Sequence, residues 1–76
     1  MKEFKVTYFF DEDHYIRRFI YMESQEKAEE QIQSERDRYI SFQDSRGIYH
    51  ELNTRDVRVI QLSEYNRIDK SKKVSE

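Results

Sequence analysis

The sequence predicts an α+β domain: a mainly antiparallel sheet of about five strands, in the order ββαβββ, covered on one face by a single helix. Residues 24–39 are the only stretch with helical rather than alternating hydrophobic periodicity. The rest of the chain, up to residue 65, runs in short alternating or β-branched segments. Polar turn clusters separate these segments, and one of them holds the single glycine.

The helix is the best-marked element. At about 100° per residue, Ala28, Ile32 and Tyr39 fall on one side, and Glu23, Glu26, Glu30 and Asp37 fall nearly opposite. Ser24 is placed to cap the N-terminus, and Glu26, Glu29 and Glu30 follow where carboxylates meet the positive end of the helix dipole. The apolar stripe is narrow and flanked by Glu35 and Arg36, which predicts contact with one layer of sheet rather than burial between two.

The first strand follows from the alternation of Phe4, Val6, Tyr8 and Phe10 with Lys5, Thr7 and Phe9. Asp11 to His14 interrupts it, and Tyr15 to Met22 resumes with aromatic and branched residues, so the two runs read as an antiparallel hairpin. Along the second run Tyr15, Arg17, Phe19 and Tyr21 point one way and Ile16, Arg18, Ile20 and Met22 the other. Ile16, Ile20 and Met22 are assigned inward, which turns Phe19 and Tyr21 outward; a one-residue slip would reverse both. Arg18 then shares the inward face, where Glu35 at the rim of the helical stripe is its expected partner in a partly buried ion pair.

After the helix, Ile40 to Gln43 reads as a short strand, Asp44 to Gly47 as a turn, and Ile48 to Leu52 as the returning strand. Asn53 to Asp56 reads as another turn, and Val57 to Leu62 as the last strand of a three-stranded meander. From Asn66 onward only Ile68 and Val74 are apolar in a lysine-rich setting, so the chain divides into one domain over 1–65 and a disordered polar tail over 66–76.

Composition narrows the function classes. Seventy-six residues bury a modest core, and without cysteine neither a disulfide nor a thiolate metal site supplements it. No apolar run approaches the roughly 20 residues that span a bilayer, and the N-terminal MKEFKVTYFF lacks a signal pattern, so a cytoplasmic location and no membrane partner are expected. Net charge is −2, unevenly placed: nine acids against four bases from Asp11 to Asp37, and four bases against two acids from Asn66 to Glu76.

Enzymatic chemistry finds little support in these residues. One glycine cannot build a phosphate-cradling loop or a dinucleotide fingerprint, and there is no thiol nucleophile. His14 beside Asp11, Glu12 and Asp13, and His50 beside Glu51, are the remaining acid/base or metal candidates; both read as polar surface residues. A calcium loop starting at Asp11 would need glycine and a carboxylate where Ile16 and Met22 stand. No catalytic residue, cofactor or metal is therefore expected.

Two stretches carry a resemblance. Glu23 to Glu30, with its S-x-E-x-A helix start, follows a hairpin; Ile40 to Glu64 contains an F-x-D-x-x-G turn and an L-N-x-x-x-V-x-x-I ending at Leu52 to Ile60. Together they resemble small accessory proteins of Gram-positive bacteriophages and mobile elements, which implies an accessory role and transfers no catalytic residues.

Two modes of interaction follow. The acidic stripe of Glu23, Glu26, Glu30 and Asp37 would suit a basic site on a host protein, as in a phage-derived, DNA-mimicking inhibitor of a nucleic-acid enzyme, an anti-CRISPR protein for example. The alternative is the sheet face with Arg17, Phe19 and Tyr21, joined by Lys5 and Phe9, on which single-stranded bases would stack, with Lys70, Lys72 and Lys73 adding phosphate contacts. The same face would also serve a homodimer.

Overall fold

A computed structural model describes residues 1–44 and 46–66. The expected tail, apart from Asn66, lies outside the described residues, and so do Lys70, Lys72 and Lys73. Five strands and one helix follow in the order β1 (Lys2–Phe9), β2 (Tyr15–Met22), α1 (Gln25–Ser34), β3 (Tyr39–Gln43), β4 (Tyr49–Asn53) and β5 (Val59–Glu64), with one turn of 3-10 helix at Thr54–Asp56. This is the expected α+β order, with every strand pair antiparallel.

The strands do not form one sheet. β2, β1 and β5 make a three-stranded sheet with β1 in the centre, and β3 and β4 make a separate hairpin. The expected meander of the last three strands is therefore corrected, because β5 pairs with β1 and not with β4. The composition of β1 explains the choice. Phe4, Val6 and Tyr8 are its inner side chains, at 0%, 0% and 1% exposure, and burial this deep suits a strand with a neighbour on each side. The 3-10 turn carries the chain out of the hairpin and toward that vacant edge. Asn53 caps the turn by accepting a hydrogen bond from the Arg55 amide at 3.0 Å.

The core is one cluster: Phe4, Val6 and Tyr8 from β1, Ile20 from β2, Ala28 and Ile32 from α1, and Leu52 from β4. Ile16 and Met22 pack against it, so the inward face of β2 is the one expected from the sequence. The helix and the β3–β4 hairpin together cover this face. Tyr8 stacks on Phe42 with centroids 6.0 Å apart, and Phe42 lies 5.4 Å from the His50 ring, so an aromatic column ties the hairpin to the sheet.

Ser24 caps α1 as expected, its hydroxyl accepting from the Lys27 amide at 3.2 Å. The helix ends at Ser34, five residues before the predicted end. Asp37 turns the chain with φ of 63°, a conformation that aspartate tolerates better than most residues. Thr54 provides the tertiary reason for the stop. Its buried hydroxyl accepts from the Arg38 amide at 2.9 Å and lies 3.0 Å from the carbonyls of Glu35 and Arg38, an arrangement a continuing helix would not allow. Tyr39 consequently leaves the apolar stripe, starts β3 opposite Asn53, and is 79% exposed.

Arg18 and Glu35 pair as the sequence predicted. Two hydrogen bonds join them at 2.8 and 3.2 Å, and each side chain is about 15% exposed. Arg18 also donates to the Tyr8 hydroxyl at 2.9 Å and lies 5.2 Å above the Phe42 ring, while Gln31 donates to Glu35 Oε2, which it shares with Arg18, at 2.8 Å. Burial works against the Arg18 charge, but the bonds to Glu35 and Tyr8 outweigh it and raise its pKa. Burial raises the pKa of the Tyr8 phenol.

The β3–β4 turn is fixed by a second polar cluster. Asp44 accepts from the amides of Arg46 at 2.8 Å and Ile48 at 3.0 Å, and from His50 Nε2 at 2.9 Å. Gly47 sits at φ of 83°, which a side chain would disfavour, and donates its amide to the Asp44 carbonyl. His50 is thus a half-buried structural partner and not the simple surface residue expected. Its hydrogen bond, followed by those of the two amides, lowers the Asp44 pKa to about 2.

Two outcomes are expected from these contacts. Glu35→Ala leaves the Arg18 charge buried without its partner and is expected to cost about 3 kcal/mol in urea unfolding, most of it regained in Arg18→Met/Glu35→Leu. For Asp44, the depressed native pKa means that its contribution is present above the unfolded value near 3.8 and is lost as pH falls toward about 2. The gap in urea midpoint between the wild type and Asp44→Asn is therefore expected to shrink over that window, and a constant gap would contradict the assignment.

Candidate interaction face

The face of the β2–β1–β5 sheet opposite the core carries no helix or strand among the described residues. Register arranges its side chains in rows across the three strands. Tyr15, Phe9 and Val59 form one row; Arg17, Thr7 and Gln61 the next; Phe19, Lys5 and Ser63 a third. Tyr21 and Glu3 continue the pattern, with Tyr65 joined to Glu3 through a main-chain hydrogen bond of 2.9 Å.

Aromatic rings and cations interleave within these rows. Tyr15 lies 5.8 Å from Phe9, and the Arg17 guanidinium lies 5.1 Å above the Tyr15 ring. At the other end, Phe19 meets the edge of Tyr65 at 5.0 Å. Between the two ends the side chains enclose a depression of ≈ 570 Å³ lined by Lys5, Thr7, Phe9, Tyr15, Arg17 and Gln61 among others. Thr7 is only 7% exposed and forms the floor, while Tyr15 and Tyr21 are half or more exposed at the rim.

Arg17, Phe19 and Tyr21 thus sit where the alternation placed them, successive outward residues of β2. Five residues that line the depression were not singled out by the sequence: Thr7, Tyr15, Gln61, Leu62 and Ser63. Tyr15 belongs beside Arg17, a proximity that its place in the same alternating run already signalled. Gln61, Leu62 and Ser63 complete the depression from β5, and no local pattern could have placed them there, because the β1–β5 pairing joins residues 50 to 60 positions apart.

The acidic residues are arranged differently from the expected stripe. Glu26 and Glu30 lie on α1, but Glu23 precedes the cap and Asp37 follows the helix in its left-handed turn. All four are exposed, and Lys27 lies 3.8 Å from Glu30, so the helical part of the acidic surface is partly compensated. The helix also packs on the core side of the sheet, away from the aromatic face.

The acidic turn between β1 and β2 is self-contained. Asp11 accepts from the amides of Asp13 and His14 at 2.8 and 2.9 Å and contacts the His14 ring at 2.8 Å. The His14 contact, then the Asp13 amide, lowers the Asp11 pKa. Among the described residues no group of three or more His, Cys, Asp or Glu side chains is arranged to hold a metal ion, and no helix is long and apolar enough to cross a membrane.

No protein-family model matches the chain, and no curated protein or solved structure matches it. The reading of the chain's role therefore rests on its own geometry.

Proposed function

We propose that this chain is a non-catalytic binding protein that holds single-stranded nucleic acid on the outer face of its three-stranded sheet. The observation that carries the reading is the concave depression in which Lys5 and Arg17 alternate with the rings of Phe9 and Tyr15 over a floor at Thr7. Unpaired bases have flat, apolar faces joined by anionic phosphates, and such a surface meets both: rings take the bases and cations take the backbone. Hydroxyl and amide groups at Thr7, Gln61 and Ser63 supply hydrogen-bonding partners for base edges.

The net charge of −2 does not oppose this reading, because charge acts locally at a Debye length of about 8 Å. The rows of the face contribute Lys5 and Arg17 against Glu3, with Asp11, Glu12 and Arg58 bordering it at Phe9 and Gln61, while the glutamates of α1 lie beyond the sheet on its covered side. A duplex would present neither exposed base faces nor a shape fitted to a shallow concavity, so preference for single strands is part of the proposal. The resemblance to accessory proteins of phages and mobile elements agrees with a small binding module, and the acidic-surface inhibitor becomes the competing outcome.

Fluorescence anisotropy with labelled poly-thymidine and poly-uridine oligonucleotides at low salt tests the proposal. The wild type is expected to bind single strands in preference to duplex DNA. Tyr15→Ala is expected to weaken binding by roughly 5- to 100-fold, the range for loss of one stacking platform. With two cations on the face, the log–log salt slope is expected near −1.4, about −0.7 for each neutralised phosphate. Absence of single-strand binding at low salt, or binding insensitive to Tyr15→Ala and Arg17→Ala, would overturn it; a face-dependent dimer without nucleic-acid binding would reassign the face to self-association.

A further inference from the structure

We infer that the cleft beside the outer edge of β2 is a phosphate subsite, in which Arg17 and Arg46 together grip one backbone phosphate of a strand leaving the sheet face; this rests on the nucleic-acid reading of that face. The cleft has a volume of ≈ 460 Å³ and lies between β2 and the β3–β4 turn, with Tyr15, Arg17 and Phe19 on one side and Asp44, Arg46 and His50 on the other. Tyr15 and Arg17 also line the depression on the sheet face, so the two concavities share a wall and a cation.

Arg46 is suited to this task by how its neighbours are engaged. The Asp44 carboxylate would ordinarily hold an adjacent arginine, but it already accepts from the Ile48 amide, the Arg46 amide and His50 at 2.8 to 3.0 Å. The Arg46 guanidinium lies farther out, 3.6 Å from Asp44 Oδ2, and its side chain is 76% exposed. Asp44 therefore fixes the turn that carries Arg46 while holding the guanidinium itself loosely. Arginine's planar fork takes phosphate oxygens in pairs, and a phosphate between two such forks would offset the repulsion from the nearby Asp44 carboxylate.

The path of the strand follows from the widths involved. Neighbouring strands lie about 4.8 Å apart, so the three-stranded face spans about 10 Å between its outer strands and, at about 3.4 Å per stacked nucleotide, accommodates roughly three or four bases. A longer strand must leave the face, and the edge at Arg17 leads into the cleft. A tetranucleotide is thus expected to occupy the face alone, whereas a dodecanucleotide reaches Arg46.

Anisotropy with a thymidine tetranucleotide and a dodecanucleotide tests the inference. Arg46→Ala is expected to leave tetranucleotide affinity unchanged within about two-fold, while the dodecanucleotide weakens several-fold with its salt slope nearly unchanged, because Arg17 still neutralises the shared phosphate. Arg46→Lys, which keeps the charge but not the fork, is expected to preserve the slope and lose part of the affinity. If Tyr15→Ala weakens both oligonucleotides and Arg46→Ala weakens neither, or weakens both equally, the subsite is wrong and the face reading stands. If neither oligonucleotide binds the wild type, both readings fall. Binding of inorganic phosphate alone, observed at the Arg46 and Gly47 amides by NMR and abolished by Arg46→Ala while oligonucleotides fail to bind, would make the cleft a free-anion site and overturn its assignment to a strand.

Discussion

The Arg18 guanidinium is the point through which the separate parts of this small domain are held in one arrangement. It belongs to β2, grips Glu35 at the C-terminal end of α1, donates to Tyr8 of β1, and covers the ring of Phe42 on β3. Among the described residues the buried apolar anchors are few, Ala28 and Ile32 from the helix and Leu52 from the hairpin, so apolar contacts alone would leave both elements freedom to slide over the sheet. Directional bonds to a charge that cannot be left unpaired remove that freedom. Among the described residues every buried side-chain nitrogen and oxygen has a partner, so the polar centre is complete.

A second constraint works at the end of the helix. Thr54 draws the turn after α1 onto the 3-10 turn after β4, and Asp37 provides the reversal that lets β3 begin immediately afterward. The hairpin is therefore fastened at both ends, by Thr54 at one and by the Tyr8–Phe42–His50 column at the other. With the helix it occupies the whole inner side of the sheet. The consequence for function is indirect but firm: the polar and apolar resources of the domain are spent on one face, and the aromatic residues of the other face are not needed to close the core.

That division gives the outer face of the sheet its character. Thr7 is buried at its floor, while Tyr15, Tyr21 and Val59 remain well exposed at its margins, an allocation that suits a surface meeting a partner rather than a packed interior. The Arg17 guanidinium lies over the Tyr15 ring, and the residues directly opposite Arg17 and Lys5 across the strands are Thr7, Phe19 and Ser63, none of them a carboxylate. The acidic residues that dominate the overall charge are placed on the helix, in the β1–β2 turn and around the reversal at Asp37.

By itself the sequence determined every element whose cause is local. The alternation from Phe4 to Phe10 and from Tyr15 to Met22 marked the first two strands, Ser24 set the start of the helix, and Asp44 with Gly47 set the turn of the β3–β4 hairpin. The Arg18–Glu35 pair was also legible, because an arginine on an inward strand position and a glutamate at the rim of an apolar stripe each need a partner. Tertiary structure alone decided the rest. The helix stops where Thr54 captures its terminal turn, β5 crosses to β1 because that strand's buried side chains need a second neighbour, and the depression gains Gln61 and Ser63 only through that crossing. Each of these depends on residues far apart in the chain, whose pairing energy is invisible to propensity and periodicity until the two segments meet.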